Sequence, residues 1–162
     1  MSGTTGQKPA NKRAVARLAA VQALYQMDVT GGGARDIVKE FELFRLRQEM
    51  DGQTLRALDL RWFEGIVSGV VENQRDIDAS VDNALKTGWP LKRIDLTLRA
   101  VLRAGAYELL YKNDVPVRVV LSEYVEVAKA FFGEDEPRLV NGVLDQIARA
   151  TRPGDLTPAA PH

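Results

Sequence analysis

Apolar residues recur along this chain at spacings of three and four rather than two. Val15, Leu18, Gln22 and Tyr25 mark one stripe, Ile37, Phe41 and Phe44 a second, and Leu55, Leu58, Trp62, Ile66 and Val70 a third. The pattern continues through Ile77, Val81 and Leu85, then Ile94, Leu98, Val101, Leu102 and Leu109, then Val117, Leu121, Tyr124, Ala128 and Phe131, and closes on Val140, Val143, Leu144 and Ile147. Such spacing lines up side chains on one face of a helix, whereas a half-buried strand alternates every second residue. The pattern predicts an all-α fold of about seven helices, near 11–29, 35–50, 54–72, 75–87, 92–112, 117–132 and 137–150, in one domain over 11–151.

Breakers fall between these segments. The run Gly31-Gly32-Gly33 is too costly to hold in a helix, at about 1 kcal/mol per glycine relative to alanine, and reads as a connector. Trp89-Pro90 and Asp114-Val115-Pro116 end segments, because the residue before a proline is pushed out of helical geometry. In FFGEDEPRLVNGVLDQ, residues 131–146, Gly133 is expected to end the sixth helix in a left-handed conformation. Glu134, Asp135 and Glu136 then set negative charge at the positive end of the seventh, whose first turn suits Pro137. Asn141-Gly142 is a turn signal inside a helical period; the helix either breaks there or, as expected, runs through, with Gly142 allowing a neighbouring helix to approach. Residues 1–10 and the stretch from Arg152 to His162 are rich in Gly, Pro, Ser and Thr and read as disordered ends.

Composition narrows the chemistry. The 162 residues contain no cysteine, so no disulfide and no thiolate metal site can form, in keeping with a reducing, cytoplasmic setting. No uncharged run approaches the roughly 18 residues a membrane span needs, and the chain is expected to be neither exported nor inserted. The single histidine is His162, so no serine has a histidine base, and the glycine run lacks the following Lys-Ser/Thr of a phosphate loop. Adjacent acids at 134–136 read as helix caps rather than metal ligands. No catalytic residue, metal or cofactor is expected.

Charge is unevenly placed. Lysine plus arginine equal aspartate plus glutamate at 22 each, yet no acid precedes Asp28, where Lys8, Lys12, Arg13 and Arg17 lie. Between Asp59 and Asp82 six acids face only Arg61 and Arg75. Arg13 and Arg17, four apart, stack on one side of the first helix, roughly opposite Val15, Leu18 and Tyr25, where two guanidinium forks can grip phosphates.

Several motifs then occur in order: R-x-x-x-R from Arg13 and A-V-Q-A-L-Y at 20–25, W-x-x-x-R at 89–93, L-R-x-x-x-Y-E-L at 102–109, D-V-P at 114–116, E-x-x-x-x-A-K-x-F at 123–131 and V-N-G-V-L-D at 140–145. Together they resemble the NusB family of bacterial transcription antitermination factors over nearly the whole chain. The resemblance implies two small helical bundles packed across each other. It implies binding of boxA RNA together with NusE, a ribosomal small-subunit protein, in machinery that engages other Nus factors and keeps RNA polymerase elongating on ribosomal RNA operons.

Carried over, the family's arginine-rich motif falls on Lys12, Arg13 and Arg17, its tyrosine on Tyr25, and its further RNA-facing positions on Lys129, Phe131, Asp135 and Arg138. Ala14 and Val15 stand where more arginines can occur, and Ser122 where asparagine is common. Unstacked bases pack on aromatic rings and hydrogen-bond along their edges, which gives Phe131 and Asp135 a role in reading RNA; plain core burial of Phe131 fits the period equally well. The NusE contact is placed on the fourth and fifth helices, at Arg93, Arg99, Tyr107 and Glu108. Two other readings stand beside this one: a NusB-like module of the kind fused to ribosomal RNA methyltransferases, and a helical protein-interaction domain that uses the acidic stretch without touching RNA.

Overall fold

A computed structural model of the chain describes residues 9–52, 58–85 and 94–155; Lys8, Leu55, Trp89, Pro90 and Arg93 lie outside the described residues, as do segments 1–8 and 156–162. Seven α-helices and no strand occur among them: α1 Pro9–Thr30, α2 Ala34–Met50, α3 Leu60–Glu72, α4 Gln74–Leu85, α5 Leu96–Tyr111, α6 Val117–Phe131 and α7 Asp135–Thr151, followed by a 3-10 turn at Pro153–Asp155. Helices α1, α2 and α3 form one group and α4, α5, α6 and α7 another, and α5 is shared, since it packs on α1 and α3 as well as on α4, α6 and α7.

Local chemistry explains the ends. Gly31 takes a positive φ of 79° and donates its N–H to Met27 O at 2.8 Å, closing α1 in a conformation only glycine adopts cheaply. The Asp59 carboxylate accepts the Trp62 N–H at 3.0 Å and Asp95 accepts that of Leu98 at 2.8 Å, each satisfying a donor a helix start leaves orphaned. This Asp59 cap starts α3 at Leu60, so Leu58 lies ahead of the helix rather than within its stripe.

Three local expectations change. Helix α6 ends at Phe132 in extended geometry, and among the described residues only Gly31 and Gly52 have positive φ, so Gly133 supplies no left-handed cap. Helix α7 does run through Asn141-Gly142, but a Cβ on Gly142 would meet open space, so this glycine serves no close approach. The glycines that do are Gly69, whose added Cβ would strike the Tyr107 ring, and Gly105, whose Cβ would sit 2.7 Å from Leu144 Cδ1.

The tail does not begin at Arg152. That side chain is buried, donating to the carbonyls of Leu109, Lys112 and Val115 and pairing with Asp155 at 3.0 Å. One guanidinium thereby satisfies the carbonyl end of α5 and the loop behind it.

Candidate nucleic-acid interface

The first helix buries a different face from the one its bulky residues suggest. Ala16, Ala19, Ala20, Val21, Ala23 and Leu24 are buried, while Val15 and Leu18 are half-buried and Tyr25 is exposed. Alanines bring α1 close to α3 and α5, and that closeness encloses Arg17, 2% exposed, on the buried face. Its Nε and Nη2 donate to the two carboxylate oxygens of Glu108 at 2.8 and 2.9 Å, and Nη1 reaches Glu123 at 3.2 Å. Glu108, wholly buried, also accepts the Tyr124 hydroxyl at 2.5 Å and the Trp62 indole N–H at 3.4 Å.

This geometry corrects two expectations. Arg17 cannot offer a fork to a phosphate, because carboxylates already take its donors and water does not reach it. Glu108 cannot dock a partner, and neither can Tyr107, whose ring is 7% exposed and seated over Gly69. Burial works against the Arg17 charge, but the hydrogen bonds and attraction of Glu108 outweigh it and hold the guanidinium pKa above its ordinary value. For Tyr124, burial first and then the Glu108 charge push the phenol well above its usual pKa.

One turn earlier α1 is open. Arg13 lies 3.8 Å from the centroid of the Trp62 ring and has a long, half-exposed ion pair with Asp59 at 3.7 Å. Lys112, the residue after α5, holds its ammonium 5.4 Å from the same centroid. Lys12, the residue before Arg13, is exposed. The apolar period marks Trp62 only as a position on the buried stripe of the third helix and gives Lys112 no role; the Asp59 capping signal three residues before Trp62 is the trace of this arrangement in the chain.

Helix α6 runs alongside α1. Ala14, Val15 and Leu18 line a groove of about 170 Å³ with Glu123, Glu126, Val127 and Ala130, so the start of α1 and the end of α6 meet at one end of the fold. Beyond that end lies the α6–α7 junction. Lys129 pairs with Glu126 at 3.1 Å and Arg138 with Glu134 at 3.9 Å, all four side chains largely in water, where such pairs are weak and exchangeable. Phe131 is 37% exposed and meets Phe132 edge-on, while Phe132 packs against the core. Asp135 opens α7 with an exposed side chain. The structure therefore brings Lys12 and Arg13 to the same end as Lys129 and Phe131. Tyr25 sits twelve residues from Arg13, about 18 Å along the helix at 1.5 Å per residue.

Of the expected partner residues, Arg99 is partly exposed and pairs with Asp82 at 3.8 Å, and Arg93 lies outside the described residues. Ser122 is exposed on α6. No helix of the described residues is long and apolar enough to cross a membrane, and no group of three or more His, Cys, Asp or Glu side chains among them could hold a metal ion.

Two helical groups that share a central helix define an all-α protein. The model of the NusB family matches residues 14–149, and the chain belongs to the NusB family. A protein of Mesorhizobium japonicum called transcription antitermination protein NusB is 59% identical over 143 residues, covering 88% of this chain and 92% of that protein. An Agrobacterium fabrum protein of the same name is 59% identical over 145 residues, covering 90% of this chain and 88% of its own. Among solved structures, NusB of T. maritima superposes with a TM-score of 0.68 at 28% identity, covering 93% of this chain and 98% of that one. A crystal structure of antitermination factors NusB and NusE in complex with dsRNA gives a TM-score of 0.66 at 26% identity, covering 86% and 98%. The all-helical fold is that of these NusB structures.

Proposed function

We propose that the protein is a non-enzymatic, cytoplasmic RNA-binding adaptor of transcription antitermination that binds boxA RNA together with NusE and supports processive transcription of ribosomal RNA operons. The observation that carries this reading is the meeting of Lys12 and Arg13 from α1 with the aromatic-bearing junction of α6 and α7, where Lys129 and Arg138 stand among acids, at one end of a fold shared with a NusB–NusE–RNA complex. Lys12, Arg13, Lys129 and Arg138 supply phosphate contacts, Phe131 a stacking ring and Asp135 an acceptor for base amino groups, with Tyr25 farther along α1 on the path of a longer strand. Arg17 serves the fold instead, and through it the position of Arg13.

Four backbone cations give a modest salt dependence, about −2 to −3 in log affinity against log salt for single strands, so a second protein adds useful affinity by linking two binding events. Light scattering after size exclusion of this protein, NusE and boxA RNA mixed together tests the reading. A complex containing all three is expected; a mixture that elutes as separate components overturns it.

A further inference from the structure

We propose that Trp62 and Lys112 extend the RNA surface away from the α6–α7 junction, with Lys112 a further phosphate contact and Trp62 a positioning residue that holds Lys112 and Arg13 side by side. The inference rests on the RNA-binding reading above and assigns residues that neither the arginine-rich motif nor the junction includes.

Three observations carry it. First, Trp62 is half-buried with its indole N–H anchored on the buried Glu108, which fixes the ring's orientation. Beside the buried Arg17, 5.8 Å from the ring centroid, two cations open to solvent settle on that ring, Arg13 of α1 at 3.8 Å and Lys112, the residue after α5, at 5.4 Å. Cation–π attraction holds a charge in place without consuming its hydrogen-bond donors, so both remain able to bind an anion. Second, Lys112 is not needed at the end of α5. A lysine there ordinarily compensates the helix's carbonyl end, but Arg152 already donates to the Leu109, Lys112 and Val115 carbonyls. Third, among the described residues no carboxylate lies within ion-pair distance of the Lys112 ammonium, and the Asp59 partner of Arg13 is long and half-exposed, a pairing that a phosphate displaces at little cost. Cations pre-set on a rigid ring lose less side-chain freedom on binding than free ones, which is the usual source of affinity in a preorganised site.

The test is titration of a boxA RNA oligonucleotide, with NusE present, across a range of salt. One phosphate contact to a single strand contributes about 0.7 to the slope, which at about 0.1 M salt is about fivefold in affinity. Lys112→Gln is expected to weaken binding about fivefold and make the slope shallower by about 0.7. Trp62→Leu is expected to lose at least as much although both cations remain, and Trp62→Phe, which keeps a ring, to recover most of it. Lys112→Gln changes a partly exposed side chain, so it stays informative even if Trp62→Leu folds poorly. Wild-type binding together with an unchanged slope in Lys112→Gln overturns this extension and leaves the adaptor reading intact. Absence of binding by the wild-type protein overturns both.

Discussion

Arg17 and Glu108 form a two-pronged ion pair, with Nε–Oε2 at 2.8 Å and Nη2–Oε1 at 2.9 Å, between helices whose pairing residues lie 91 positions apart in the chain. The side chains are 3% and 0% exposed. An ion pair taken out of water repays its desolvation only when its hydrogen bonds are complete, and here Tyr124 and Trp62 complete them on the carboxylate side. The network ties α1 to α5 and, through Glu123, to α6. It also sets the indole on which Arg13 rests.

Removing one partner leaves the other buried and unpaired. Arg17→Ala is expected to lower folding stability by about 3–5 kcal/mol, and an apolar pair such as Arg17→Met with Glu108→Leu to recover most of that. Urea unfolding measures both. Where Arg17→Ala is still folded, its RNA salt slope should match the wild type, because its guanidinium never reaches the strand.

Alkaline pH should act through the tyrosines. Burial and the Glu108 charge raise the folded-state pKa of Tyr124, and burial raises that of Tyr107, so the folded protein holds these protons more tightly than the unfolded chain. Their contribution to stability is fully present below the unfolded value, near 10, and is lost as pH climbs through the folded values. Unfolding midpoints in urea should therefore fall from about pH 10 upward. Tyr124→Phe should shrink that fall, leaving Tyr107 to account for the rest, and should cost about 1.5–3 kcal/mol at neutral pH for the lost bond to a charged acceptor.

The two kinds of glycine give opposite expectations. Gly69→Ala drives a methyl into the Tyr107 ring between α3 and α5 and should cost about 1–3 kcal/mol. Gly142→Ala adds a methyl in open space within a continuous helix and should gain about 0.5–1 kcal/mol, a rise of a few degrees in Tm. A thermal melt of the two variants decides whether the Asn141-Gly142 pair is a packing device or an exposed position on α7.

What the chain revealed and what it hid follow from the range of the forces involved. Helices α6 and α7 lie near where the sequence puts them because their apolar periods and the proline and acidic signals at their starts are local. The start of α3 differs from the one the period predicts because Leu55 and Leu58 continue that period, whereas Asp59, three residues ahead of Trp62, is the cap that decides it. Arg17 departs from its expected role for a deeper reason. Its spacing from Arg13 says that the two stack on one side of a helix; only the distant Glu108 and the thin alanine face of α1 say that one of them is inside. Burial of a charge depends on a partner far along the chain, and no local period carries that. For the same reason the period reads Trp62 as one more apolar position and gives Lys112 no role until α1 lays Arg13 across the ring.

The last expectation separates two adjacent rings. Phe131 and Phe132 meet edge-on at 6.4 Å, but Phe132 is packed against the core and Phe131 is the more exposed. Phe132→Ala should remove core contacts and cost about 2 kcal/mol of stability, less than a fully buried phenylalanine because part of its surface is already in water. Phe131→Ala should change stability by less than about 1 kcal/mol, yet lose the stacking of one base, about 1–3 kcal/mol or roughly five- to hundredfold in RNA affinity. Both variants are compared by urea unfolding and by RNA titration in the presence of NusE. If Phe131→Ala unfolds early and binds RNA as the wild type does, the ring belongs to the core and base reading at the α6–α7 junction falls to Asp135 alone.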